Sequence, residues 1–320
     1  MKEKASWTQR FTVGVLCVAT IGPAVACQRQ TAPKEQSAEP TDIDPAGVGF
    51  GYTDKSGSKL LMLLDDGQAM EIEKAKALET ALCNDGRQFP IRYLRYQKRA
   101  PDSTGRQTVY NFDEDEGHLY EITGIRTYAY EDTFGETCML VPPNYLQRFP
   151  NVRNDLSHAE LETRKNEYAT PDDRQPTDLT PFRLVDGFAK EALARIEKEK
   201  GRKAKLYWLL HRSGLEQQIA IVEFDPVGES RLASLVLSES NRLSFFDMPA
   251  TNNGGDCWRV SDGCQLLVRH MDVPIVLGRA GEQLIVFTSS AEEGQVINLL
   301  QAKNGNLVPL NGGYRYHMAQ

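Results

Sequence analysis

The chain has 320 residues, 40% of them apolar and 25% charged, with a formal net charge of −7. That balance belongs to a globular protein long enough for two cores, not to a disordered tail or a fibre. The acidic excess argues against nucleic acid as a partner, because phosphate backbones are held by basic faces.

Met1-Lys2-Glu3-Lys4 and Arg10 precede an uncharged run of 16 residues, Phe11 to Ala26. A basic start followed by a modest apolar run is the layout of a secretory signal peptide. The run falls short of the roughly 20 residues that span a bilayer, and Gly14, Gly22 and Pro23 interrupt it. It ends Ala24-Val25-Ala26-Cys27. Small residues directly before a cysteine resemble the lipobox of bacterial lipoproteins, here with Ala24 where leucine is usual. The resemblance covers only this signal region. It implies that Cys27 is acylated and becomes the mature N-terminus, a membrane anchor of more than one acyl chain. Gln28 follows where aspartate usually marks inner-membrane retention, which implies the outer membrane, facing the periplasm. Ala24 and Ala26 also suit ordinary signal peptidase, and the alternative is a soluble periplasmic protein.

The six cysteines are Cys17, Cys27, Cys83, Cys138, Cys257 and Cys264. Cleavage before Cys27 removes Cys17, and acylation uses Cys27, leaving four that admit three pairings. Cys83–Cys138 and Cys257–Cys264 are favoured, because each pair falls inside one of the two domains proposed below. Such bridges need an oxidising compartment. Lys2, Lys4 and Arg10 against Glu3 give residues 1–26 a net charge of +2, so the remainder carries −9.

Residues 27–50 are polar and proline-containing, the composition of a flexible tether. A first small α+β domain is expected over 51–150. Leu60 to Leu64 reads as a buried strand, Asp65-Asp66-Gly67 as a turn, and Ala69 to Ile72 as a returning strand. Ala75, Leu78, Ala81 and Leu82 recur at helical spacing and predict a helix ending near Cys83. Strands are expected at 90–97, 107–112, 118–130 and 137–141. Residues 151–180 read as a linker, with a short helix at Ser157 and Glu160, which have capping-box spacing.

The second domain, 181–320, opens on a helix. Thr180 caps it, Pro181 takes its first position, and Val185, Phe188, Ala189, Ala192 and Ile196 form an apolar face closed by Gly201. Strands follow at 204–212, 216–224, 231–237, 242–247, 256–260, 264–270, 273–277, 283–289, 295–300 and 306–309. The expected fold class is therefore α+β: antiparallel-sheet-rich, in two domains, the second a helix packed on a β-meander.

Catalytic and metal-binding patterns are scarce. The histidines His118, His158, His211, His270 and His317 are scattered, without metal-ligand spacing. Asn111 to Gly117 has a calcium-loop look with its glycine one place late, and reads as a solvated acidic turn. Ser56-Gly57-Ser58-Lys59 matches an acylating Ser-x-x-Lys pair, but sits in a loop leading into a strand rather than on a helix. No catalytic residue, metal site or cofactor is assigned. The most distinctive stretch is Arg92-Tyr93-Leu94-Arg95-Tyr96, whose Arg92, Tyr93, Arg95 and Tyr96 are ligand-binding candidates for a glycan or anionic polymer, by stacking and charge together. The competing structural reading pairs this strand with Asp113 to Glu116 across a hairpin.

These features lead to an exported lipoprotein: a non-enzymatic binding or assembly component of the bacterial cell envelope, partnered by the membrane through its lipid and by an envelope protein or glycan. The alternative is an envelope-polymer hydrolase whose site leaves no local motif.

Overall fold

Strand pairing begins earlier than composition suggests. The computed structural model describes residues 43–64, 69–83, 86–98, 112–113, 115–123, 135–156, 187–214, 217–251, 266, 268–291 and 294–316. All of these belong to one compact unit, Asp42–Gln320; a separate unit, Met1–Thr41, lies outside them. The strands β1 (Gly49–Thr53), β2 (Lys59–Met62), β3 (Thr80–Cys83), β4 (Arg87–Gln97), β5 (Gly117–Ile122) and β6 (Thr137–Val141) form a closed antiparallel barrel in the order β1-β2-β5-β4-β3-β6. Val48 and Phe50, inside the stretch read as tether, are buried here.

The barrel is small enough that its interior is filled by side chains. Leu60, Met62, Ala81, Cys83, Ile91, Tyr120, Ile122, Cys138 and Leu140 share one cluster, joined by Ala75 from α1 (Ile72–Lys76) and by Leu78 just after it. β1 contributes glycine at 49 and 51. A Cβ at Gly51 would collide with the Leu61 carbonyl oxygen on the paired strand, so closure at that point needs glycine. Cys83 and Cys138 face each other across β3 and β6, with Cα atoms 4.0 Å apart, and are joined by a fully buried disulfide. Cys257 and Cys264 lie outside the described residues.

The second sheet has eight strands in the order β11-β12-β13-β14-β10-β9-β8-β7: β7 (Ala204–Ser213), β8 (Gln217–Phe224), β9 (Ser230–Glu239), β10 (Arg242–Thr251), β11 (Asp272–Leu277), β12 (Leu284–Ala291), β13 (Gly294–Lys303) and β14 (Asn306–Tyr316). Neighbours are antiparallel except β10 and β14, which meet in parallel. Asn304 and Gly305, both at positive φ, make the two-residue turn between β13 and β14. The sheet curls on itself, since Leu206, Trp208 and Leu210 of β7 share a cluster with Val273 and Val276 of β11.

Residues 150–156 run along the gap between these two edge strands. On one side Val152 N–H donates to the Val276 carbonyl, and Gly278 N–H donates to the Pro150 carbonyl. On the other, Asp155 N–H donates to the Arg212 carbonyl and the Asn154 amide to the Leu210 carbonyl, while Asn154 Oδ1 accepts Arg212 N–H. The segment acts as an irregular stave. It gives both edges hydrogen-bond partners that they would otherwise take from solvent or another chain.

Outer faces join the two sheets. Phe50, Leu82, Met139 and Val141 of the barrel pack with Tyr145 and Phe149, at and after α2 (Tyr145–Arg148), against Ile275, Leu277, Leu284, Val286, Ile297 and Leu299. Arg148 pairs with Glu282 beside this junction.

The α+β expectation is overturned: fourteen strands against three helices make the described residues mostly β. The predicted helix over 75–82 is the short α1 followed by β3. Ala81 faces the barrel interior and Leu82 the outside, which is strand alternation. The return strand expected at 69–72 is absent; residues 69–71 lead into α1. α3 (Gly187–Lys200) lies over an outer face through Leu193 and Ile196, and Gly201 at φ 63° follows it. It does not organise the sheet as a helix on a meander would. The sheet encloses its own core by curling. Expectations at 107–111, 124–130, 157–186 and 252–265 fall outside the described residues.

Two outcomes test this frame. Replacing Cys83 and Cys138 together by alanine is expected to lower stability by about 2–4 kcal/mol, read as a drop in the urea midpoint that reductant reproduces in the parent chain. Gly51→Ala should cost about 1–3 kcal/mol through the clash with Leu61, and a thermal midpoint equal to the parent's would refute that geometry.

Candidate functional site

The arginine–tyrosine strand does not present its four candidates together. A bulge at Leu94 shifts the register between Tyr93 and Arg95. Arg92 and Arg95 therefore share the outward face with Glu121 and Leu119, while Tyr93 and Tyr96 share the other with Tyr120 and His118. Arg92 forms an ion pair with Glu121, and Arg95 reaches the Gln97 side chain at 3.4 Å. Tyr96 donates to Glu116 at 2.6 Å, and burial pushes its hydroxyl pKa up to about 12, helped by that carboxylate. The stacking-plus-charge arrangement proposed for a ligand is split between two faces.

The other sequence candidates are also placed. Asp115 accepts from the Tyr52 hydroxyl at 2.8 Å, and Glu116 is engaged by Tyr96, so these acidic-loop carboxylates serve the barrel wall. Ser56 and Ser58 donate to Asp54 in the turn between β1 and β2. Among the described residues no group of three His, Cys, Asp or Glu side chains could hold a metal ion. Cys27 lies outside the described residues.

His118 and His211 are both buried, on different sheets. His118 Nε2 lies 2.7 Å from the Met70 carbonyl, which can only accept, so this nitrogen carries the proton. Nδ1 is then the acceptor facing the Tyr93 hydroxyl at 3.4 Å. Burial lowers the His118 pKa below its ordinary value. His211 follows a bulge in β7, its Nε2 without a hydrogen-bond partner among the described residues, and desolvation lowers its pKa to about 4 against a weak opposing pull from Asp155.

What the fold does assemble is a pocket of about 540 Å³ beside β1. One wall is the approach to β1, from Asp44 through Phe50. Met62 and Leu63 of the β2 end, the segment Ala69–Glu71, and Lys74, Ala77 and Leu78 at α1 make the opposite side, and Asn311 and Gly312 of β14 complete it. Its walls are held by buried or half-buried side chains that donate to main-chain carbonyls. Asn311 donates to Ala46 and Val48, Tyr145 to Pro45, His118 to Met70, and Tyr120 to Ala75. Burial raises the Tyr120 and Tyr145 hydroxyl pKa values well above ordinary, so both remain donors at neutral pH. The size lies within the range of small-molecule sites, and tied walls mean little ordering on binding.

The chain matches no family model, no curated protein and no solved structure. The pocket is therefore read from its own chemistry. None of its lining residues was a sequence candidate. Asp44 to Gly47 falls in the stretch with a tether's composition, and Asn311-Gly312-Gly313 carries no motif.

The buried histidines fix a pH dependence. His211 has a folded pKa of about 4 against 6.5 for the unfolded chain, so the unfolded chain binds more protons between those values. Stability is complete above about pH 6.5, falls as pH drops through the window, and loses up to about 3 kcal/mol near pH 4. His211→Leu is expected to flatten the urea midpoint against pH over that range, leaving a residual slope from His118. An unchanged slope would remove His211 as the source.

Proposed function

We propose that the chain is an exported, lipid-anchored component of the bacterial cell envelope whose folded body is a non-enzymatic binding or assembly module. The observation that carries this reading is the Cys83–Cys138 disulfide, buried in the barrel and joining two paired strands. Disulfides of that structural kind form and persist in oxidising compartments, which agrees with export through the segment Phe11–Ala26. Acylation at Cys27 then supplies the anchor, and Gln28 favours the outer membrane. The polar, proline-containing stretch that follows Cys27 serves as the tether.

The binding part of the reading is supported by the pocket beside β1, whose walls are fixed by four donor side chains rather than by loops alone. An envelope protein or glycan remains the proposed macromolecular partner of the body, and the split of Arg92 and Arg95 from Tyr93 and Tyr96 separates charge from stacking on that strand.

The anchor has a direct test. Cys27→Ser should move the protein from the membrane fraction to the soluble periplasmic fraction, with the parent N-terminal peptide carrying acyl mass. Membrane retention of the serine variant, or an unmodified thiol at the parent's processed end, would remove the lipid-anchored reading.

A further inference from the structure

We infer that the pocket beside β1 binds an amphiphile with an apolar body and a cationic head. The inference rests on the reading of the body as a binding module and names the ligand class of its pocket. The floor is apolar and sealed: Val48, Phe50, Met62 and Leu78 are each 3% exposed or less. The Asn311 side chain on the lining is already engaged. Asn311 Nδ2 donates to the Ala46 and Val48 carbonyls, and its Oδ1 accepts Gly312 N–H. A sugar or nucleotide placed there would bury hydroxyls without partners, at a cost for each, whereas an apolar body loses nothing.

Charge selects the head. Among the described residues, the pocket is lined by the Asp44 and Glu71 carboxylates and the Lys74 ammonium. Lys74 lies 3.6 Å from Glu71, and both side chains are well exposed, so their pairing is weak and screened by solvent. The Asp44 carboxylate accepts Ala46 N–H from its own turn, which orients it at the rim. Among the described lining residues, two carboxylates against one ammonium favour a cation and repel a carboxylate head, and the net charge of −7 acts in the same direction at longer range.

The pocket is also built to stay open. His118, through the Met70 carbonyl, and Tyr120, through the Ala75 carbonyl, hold the side formed by residues 69–78, while Tyr145 and Asn311 hold the opposite wall. A ligand entering it meets walls that are already in place.

The test uses the full chain carrying Cys27→Ser, which keeps the whole body but has no acyl chain of its own to compete. Calorimetric titration at low salt with dodecylammonium and with dodecanoate, each below its micelle concentration, should show one site that takes dodecylammonium roughly tenfold more tightly. Asp44→Asn combined with Glu71→Gln should bring the two within about twofold, and 0.5 M salt should shrink the difference in the same direction. Ala77→Trp, an exposed position on the lining, should abolish binding of both while leaving the thermal midpoint unchanged. Equal or tighter dodecanoate binding, no binding of either probe, or binding untouched by Ala77→Trp would each overturn the inference. Loss of the anchor on Cys27→Ser without amphiphile binding overturns the pocket alone; amphiphile binding by a variant still held on membranes overturns the anchor alone.

Discussion

Backbone hydrogen bonding at sheet edges is the constraint on which the rest of this molecule depends. A β-rich chain of this size has two ways to avoid exposed edges, closure or cover, and it uses both. The first six strands close into a barrel whose ends pair through β1 and β6. The eight-stranded sheet leaves β7 and β11 unpaired with each other, and residues 150–156 occupy the seam between them. Asn154 contributes most there, because its amide donates to one carbonyl of β7 while its oxygen accepts two backbone N–H groups, Arg212 and Leu156. An irregular segment suits this role, since β7 and β11 offer it groups at different spacings. The same segment carries Val152 inward against the core of the curled sheet and Leu156 into the cluster beneath α3.

Edge closure also explains where the pocket forms. The two sheets meet outer face to outer face, and the end of β14, still paired with β13, touches the barrel. Gly313 comes within 3.5 Å of Leu63 by the Cβ position it would carry, and the Arg315 guanidinium stacks over Tyr52 at 4.5 Å. The concavity lies at the margin of that junction, where β1 begins and α1 caps the barrel mouth. Its apolar floor is continuous with the junction, through Val48 and Phe50, and with the barrel interior, through Met62 and Leu78. Its rim is made by the first described turn of the chain and by α1, which bring charge without filling the space.

Much of the strand content is legible in sequence. Runs such as Ile219-Ala220-Ile221-Val222 and Leu284-Ile285-Val286-Phe287 are rich in the residues that fit pleated, buried surfaces, and β8 and β12 form there. β1 is hidden because Gly-Phe-Gly-Tyr carries its apolar side chains on one face only, while the other face is emptied to let the barrel close. The helical spacing of Ala75, Leu78, Ala81 and Leu82 arises from two successive elements. Three of these side chains bury into the barrel interior, and Leu82 faces the junction instead. The bulge at Leu94 leaves no compositional trace, yet it decides that arginines and tyrosines part company. The pocket is beyond local reading altogether, because its walls come from segments that periodicity treats as tether, turn and tail.

Asn311 reaches across 265 positions of sequence to the Ala46 carbonyl. A contact of that span can be made only after nearly the entire polypeptide has emerged, while the barrel needs nothing beyond Val141. The cavity is thus a late product of assembly, and its walls become competent when the two extremities of the body meet. Occupancy of such a place reports on completion: an intermediate with a finished barrel and an unfinished second sheet would already have its cross-link, yet would have no ligand site to offer.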